Sequence, residues 1–140
     1  MKELTECLNI KRKIDEIDEK LYELRAAILS PKNQVITGMP RSGGGVDNNA
    51  IEKYIIKAER LEAKREKLKA YQIELWQGIM HKCNKAHIPK KDRSLLYFRF
   101  IKGMSWKACT NEMQKRYKKW NINTTFRRYR KTLYALETVG

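Results

Sequence analysis

Arg127, Arg128, Arg130 and Lys131 fall within five positions of the stretch NINTTFRRYRKTL, residues 121–133, and no acid accompanies them. Cations at that density suit a polyanion. Arginine's fork matches the O6/N7 edge of guanine in a major groove, and lysine neutralises phosphate without reading sequence. Phe126, Tyr129, Leu133 and Leu136 recur at steps of three and four, the period of a helix with one apolar side. That side is expected to pack, leaving Thr124, Arg127, Arg128 and Lys131 as the set facing a groove, with Arg130 on phosphate. Lys115, Arg116, Lys118 and Lys119 precede the helix and would meet the flanking backbone, Lys118 and Lys119 above all. Ser105 is placed to cap a helix whose first N–H groups could also meet a phosphate.

A run of four charges alone is more often a solvated face. From Gln114 to Leu136, however, eight basic residues stand without one acid, on the last helix of a three-helix pattern. That combination favours double-stranded DNA. Residues 81–140 hold sixteen basic and three acidic side chains and so supply +13 of the formal net charge of +15. Residues 1–30, with six basic and seven acidic, are close to neutral. The excess is an argument about partners rather than fold.

Other chemistries find little support. His81, Cys83 and His87 crowd seven residues, but His-x-Cys spreads ligands over different helix faces and no fourth ligand is obvious, so no metal is expected. There is no Gly-rich phosphate loop, nucleophile elbow or His/Asp constellation, so neither an enzyme nor a cofactor is indicated. Trp106 and Trp120 could stack on single-stranded bases, although packing is the stronger expectation. No run of 18 apolar residues exists to cross a membrane, and the first residues, MKELTECLNIKRK, lack a signal core. With Cys7, Cys83 and Cys109 as an odd, unpaired set, the expectation is a cytoplasmic protein with reduced thiols.

The elements that would position the cations read as all-α. Cys7, Ile10, Ile14, Ile17, Leu21, Leu24 and Ile28 form a coiled-coil seam, stopped by Ser30-Pro31. Residues 31–49, with two prolines and a triple glycine, predict a loop of about twenty residues. A second long helix carries Ile51, Tyr54, Ala58, Leu61, Leu68, Leu75 and Ile79, with Arg65 and Gln72 at polar seam positions. The pattern predicts an N-terminal helical hairpin over 1–86 that mediates oligomerisation, a dimer in the first instance. A C-terminal module over 87–140 follows, with helices at 93–103, 105–113 and 123–137 and the proportions of a helix-turn-helix. Gly103 would stop the first of these, and Asn121 or Asn123 would cap the last.

DRSLLYFRFIKGMSWKACTNEM resembles the stretch shared by the sigma-factor region-4-like helix-turn-helix and small phage regulators of the ArpU-like type. Leu95, Leu96, Phe98, Ile101, Gly103, Ser105, Trp106 and Met113 hold the matching positions. Thr125-Phe126, Tyr129 and Leu133 match the family's recognition helix, which adds Thr125 to the DNA-binding set. The M-P-R-x-G-G-G loop at Met39 to Gly45 adds to the likeness. The chain departs from the family where QKRYKKWNI intervenes before the last helix and where Phe126 replaces the usual valine. The resemblance implies a phage- or prophage-encoded transcription regulator of late genes in a bacterial host cell, reading promoter DNA and touching host RNA polymerase. Two other readings fit the same parts. One is a small-terminase-like DNA-packaging protein, and the other is an assembly protein whose basic end holds an acidic partner. A membrane-surface role suits the basic helix poorly, because it lacks a broad apolar face.

Overall fold

A computed structural model describes residues 1–29 and 48–139 of the chain. The loop expected over 31–49 lies outside the described residues, except that 48 and 49 already belong to a helix. Among the described residues there is no strand, and the fold is all-α as the periodicities predict. The helices are α1 (Lys2–Ile28), α2 (Asn48–Lys85), α3 (Lys90–Leu96), α4 (Trp106–Arg116) and α5 (Ile122–Val139). A π-helical turn, Tyr97–Ile101, continues α3.

The chain forms two compact units, Met1–Arg12 with Lys69–Gly140, and Lys13–Leu68. The expected division is 1–86 from 87–140, whereas the compact units take segments of both long helices into each.

In the unit of residues 13–68, Ile14, Ile17 and Leu21 of α1 are almost wholly buried. Each contributes about 1.5–3 kcal/mol relative to an exposed side chain. The facing positions of α2, Ile51, Tyr54, Ala58, Leu61, Arg65 and Leu68, are all half-buried, in register with the predicted seam. Arg65 Nε reaches Asp18 Oδ1, and Arg25 Nη2 reaches Glu62 Oε1 at 3.1 Å. The later residue of α1 pairs with the earlier one of α2, so the two segments run antiparallel.

In the other unit, Leu4, Cys7, Ile79, Cys83, Ile88, Leu96, Phe100 and Leu136 make one core. Here too the α1 and α2 segments are antiparallel, with Lys82 Nζ donating to Glu3 Oε1 at 2.9 Å and Gln72 Nε2 to the Cys7 carbonyl at 3.4 Å. The two polar seam residues thus have different jobs. Arg65 takes an acid, and Gln72 takes a backbone carbonyl.

A second cluster, Leu95, Phe98, Cys109, Met113 and Trp120, knits α3, α4 and the turn before α5. The π-helical turn is closed by the Lys102 N–H donating to the Tyr97 carbonyl at 3.1 Å, five residues back. Gly103 then breaks the helix at φ +69, in the left-handed region. An added Cβ there would also meet Lys11 Cγ at 2.9 Å, so the position requires glycine on both counts.

Candidate nucleic-acid interface

The cations depend on how α5 is held. Ser105 caps α4, its Oγ accepting from the Ala108 N–H at 3.2 Å. Asn121 caps α5 in the same way, its Oδ1 accepting from the Thr124 N–H at 2.9 Å and from the Thr124 hydroxyl at 3.1 Å. The helix α4 runs to Arg116, three residues beyond the expected end, which shortens the connection to residues 117–121. QKRYKKWNI is therefore partly helix and partly a five-residue turn. The turn closes on itself, the Trp120 N–H donating to the Tyr117 carbonyl at 3.0 Å.

Thr125 belongs to the core and not to the DNA-binding set the resemblance gave it. It is 0% exposed. Its Oγ1 accepts from Trp120 Nε1 at 2.8 Å and lies 2.7 Å from Thr110 Oγ1. An indole N–H can only donate, and a carbonyl can only accept. Thr110 has the Trp106 carbonyl at 2.9 Å as an acceptor and Thr125 has the Asn121 carbonyl at 3.4 Å, so either hydroxyl can donate across the contact between them. The linked groups of Trp120, Thr125 and Thr110, anchored on the Trp106 and Asn121 carbonyls, tie the turn, α5 and α4 together. Trp120 is buried by this network and the apolar cluster around it, which makes it a packing residue.

Arg128 also leaves the predicted outward set. Its Nε donates to Asp92 Oδ1 at 2.7 Å and its Nη2 to Oδ2 at 3.3 Å, a two-pronged pair joining α5 to α3. The guanidinium lies 5.3 Å from the Trp120 ring centroid. Asp92 is buried, so Arg128 is the charge that makes its burial tolerable.

Phe126 moves the other way, from the expected core to the surface. It is 36% exposed, while Thr125, Thr132 and Leu136 fill the inner face with half-buried Tyr129 and Leu133. The inner face is turned by a fraction of one residue from the apolar stripe, with Tyr129, Leu133 and Leu136 common to both, because two threonines take core positions that hydrophobicity alone does not mark.

Lys118, Lys119, Arg127, Arg130 and Lys131 are all exposed, and Thr124 is half-buried at the rim. Two recesses flank α5. One, of about 450 Å³, is bounded by residues 86–89, Asp92, Arg127, Arg128, Lys131 and Thr132. The other, of about 580 Å³, is lined by Asn121, Asn123, Thr124, Phe126, Arg127 and Arg130. The Ser105 oxygen accepts in its cap, which leaves the hydroxyl proton to donate to an anion beside the backbone N–H groups. Other arginines of this unit serve the fold. Arg93 donates to the Ile88 carbonyl at 2.9 Å and to Asn84 Oδ1 at 2.8 Å, and Arg99 Nη1 to the Met104 carbonyl at 2.8 Å. Arg99 also covers Trp106 at 4.9 Å, and Trp106 packs on Tyr129 at 4.6 Å between ring centroids.

Sequence reasoning overlooked the Asp92–Arg128 pair, although a signal existed. Asp92 is one of only three acids in residues 81–140, an exception that called for a partner. Of the three residues with ligand chemistry at 81–87, Cys83 is buried while His81 and His87 are exposed. Among the described residues no helix is long and apolar enough to cross a membrane, and no three His, Cys, Asp or Glu side chains gather as a metal site. A scan against family models finds no match to this chain, and searches of curated proteins and of solved structures find no significant match either.

Proposed function

We propose that the chain is a sequence-specific, double-stranded-DNA-binding transcription regulator, of the phage or prophage kind that the ArpU-like resemblance implies. It acts without catalysis on late-gene promoters in the host cytoplasm, as a homodimer whose two α5 helices read paired half-sites. Contact with host RNA polymerase belongs to the same reading, by way of the region-4-like resemblance. The observation that carries it is the outer face of α5 with the turn before it. Lys118, Lys119, Arg127, Arg130 and Lys131 are exposed there, with no acid between Gln114 and Leu136. Arg127 and Lys131, beside Thr124, would enter the groove, and Lys118, Lys119 and Arg130 would meet phosphates.

The test is a titration of the protein against promoter-region DNA and random DNA of equal length over a range of salt. Three neutralised phosphates per subunit, six for the dimer, give a log–log salt slope of about −5. Preference for one sequence supports the regulator. Lys119→Ala, which removes one phosphate contact from each subunit, should then weaken both DNAs alike and flatten the slope by about two, whereas Arg127→Ala should erode the preference. Equal binding to both DNAs, by a ring of many subunits, would replace this reading with DNA packaging. Absence of binding even at low salt would assign the basic face to an acidic protein.

A further inference from the structure

We propose that Phe126, with Ile122 one turn before it, recognises the 5-methyl group of a thymine in the major groove. The inference rests on the DNA-binding reading above and names what one part of that surface selects.

Phe126 is an anomaly on its face. The outward positions of the first half of α5 are polar or cationic, namely Asn123, Arg127 and Arg130. Among them a phenyl ring is left 36% exposed, and Ile122 is 39% exposed four residues earlier, on the same side of the helix. Exposed apolar side chains scattered singly need no explanation. Two that adjoin one turn apart beside the cations, one of them walling a recess, do call for one. The ring is not loose, because its edge-on contact with Trp106, 5.8 Å between centroids, fixes its direction. Trp106 is in turn held by Tyr129 and Arg99. Phe126 therefore forms one wall of the 580 Å³ recess whose other walls are hydrogen-bonding side chains, Asn123, Arg127 and Arg130 among them.

The groove offers such a ring few matches. Guanine, adenine and cytosine present hydrogen-bonding edges there, and the one substantial apolar group on any base edge is the thymine methyl. Burying an amine or carbonyl edge against a phenyl ring would leave it unpaired, which selects against those bases as strongly as contact selects for the methyl. Arg127 and Arg130, flanking the ring, fix the depth at which it meets the base edge by holding phosphate or guanine.

The experiment uses the full chain and a duplex that it binds preferentially, with each thymine replaced singly by deoxyuridine. That change removes the methyl and leaves every hydrogen-bonding group in place. At one thymine per half-site the substitution should weaken the parent by about threefold to tenfold, the effect of losing one buried methyl contact. Phe126→Ala should bind the thymine duplex more weakly by a similar factor and lose the distinction between thymine and uracil at that position alone. Phe126→Leu, which keeps an apolar side chain, should retain part of it. A parent that binds specifically yet is indifferent to every replacement overturns the inference while leaving the regulator intact. So does a Phe126→Ala protein that still distinguishes the two bases at every site. A parent that shows no sequence preference removes the proposed function, and this inference with it.

Discussion

Replacing Thr125 by valine keeps the shape of the side chain and deletes only its hydroxyl. Trp120 Nε1, now 2.8 Å from Oγ1, would lose its acceptor in a site where both residues are buried. An orphaned buried donor costs about 1–3 kcal/mol, and the lost bond to Thr110 adds about 1 kcal/mol. Thr110 keeps the Trp106 carbonyl as an acceptor, and the Asn121 carbonyl loses only a long 3.4 Å contact, so the damage stops there. The expected destabilisation is about 2–4 kcal/mol, a downward shift of about 1–2 M in the urea midpoint. All three tryptophans, Trp76, Trp106 and Trp120, lie within Lys69–Gly140, so tryptophan fluorescence reads that unit selectively. Trp120→Phe removes the donor instead. The double variant should be less destabilised than the sum of the singles by at least about 1 kcal/mol, because it deletes both ends of one bond. An unchanged midpoint for Thr125→Val, coupled to a large loss of DNA affinity, would refute the network. It would return Thr125 to the DNA.

Arg128→Ala strands the buried Asp92 carboxylate, and because Arg128 is itself part-exposed the cost should be about 1–3 kcal/mol, measurable by urea unfolding; Asp92→Asn with it should restore part of the loss. If Arg128→Ala leaves stability untouched and abolishes sequence preference, the pair is not structural. Burial pushes the thiols of Cys7 and Cys109 up to about 11, and that of Cys83 up as well. At pH 8 only about one Cys7 or Cys109 thiol in a thousand is thiolate, so alkylation of the native protein should be slow and unfolding in urea should release all three. The hydrogen bond from Lys82 holds the Glu3 carboxyl below its ordinary 4.5. A depressed folded value stabilises above the ordinary carboxylate range and is lost as pH falls through the lowered one. Lys82→Gln should therefore raise the Glu3 midpoint in an NMR titration and lessen the loss of stability on acidification.

The seams of the long helices were legible because their signal is periodic and redundant. Six or more apolar residues agree on each face, so the polar Arg65 and Gln72 did not obscure α2. Both short-helix caps were legible for a local reason, since Ser105 and Asn121 act on N–H groups three residues away. What failed was the phase of α5. Its apolar stripe predicted Phe126 inward and Arg128 outward, but the inner face is completed by Thr125 and Thr132. A threonine looks polar in isolation. Its burial depends on partners brought from elsewhere, here Trp120 in the turn and Thr110 on α4, and no window along α5 contains Thr110. Arg128 failed likewise, because Asp92 is thirty-six residues away.

Those failures bear on how a basic sequence should be weighed. Residues 81–140 carry sixteen lysines and arginines, yet Arg93, Arg99 and Arg128 are held by carbonyls, Asn84 or Asp92 within the fold. All three are arginines, which a planar fork suits to fixed, multiple hydrogen bonds. The exposed set on α5 and its turn is different in kind, with the lysines Lys118, Lys119 and Lys131 beside Arg127 and Arg130. Lysine keeps its charge in water on a flexible stem, as suits a phosphate whose position varies. If α5 binds DNA, affinity should therefore follow the lysines, while Arg127 and Phe126 carry base preference from one short length of helix. The count of charges would then overstate the interface and conceal its apolar members.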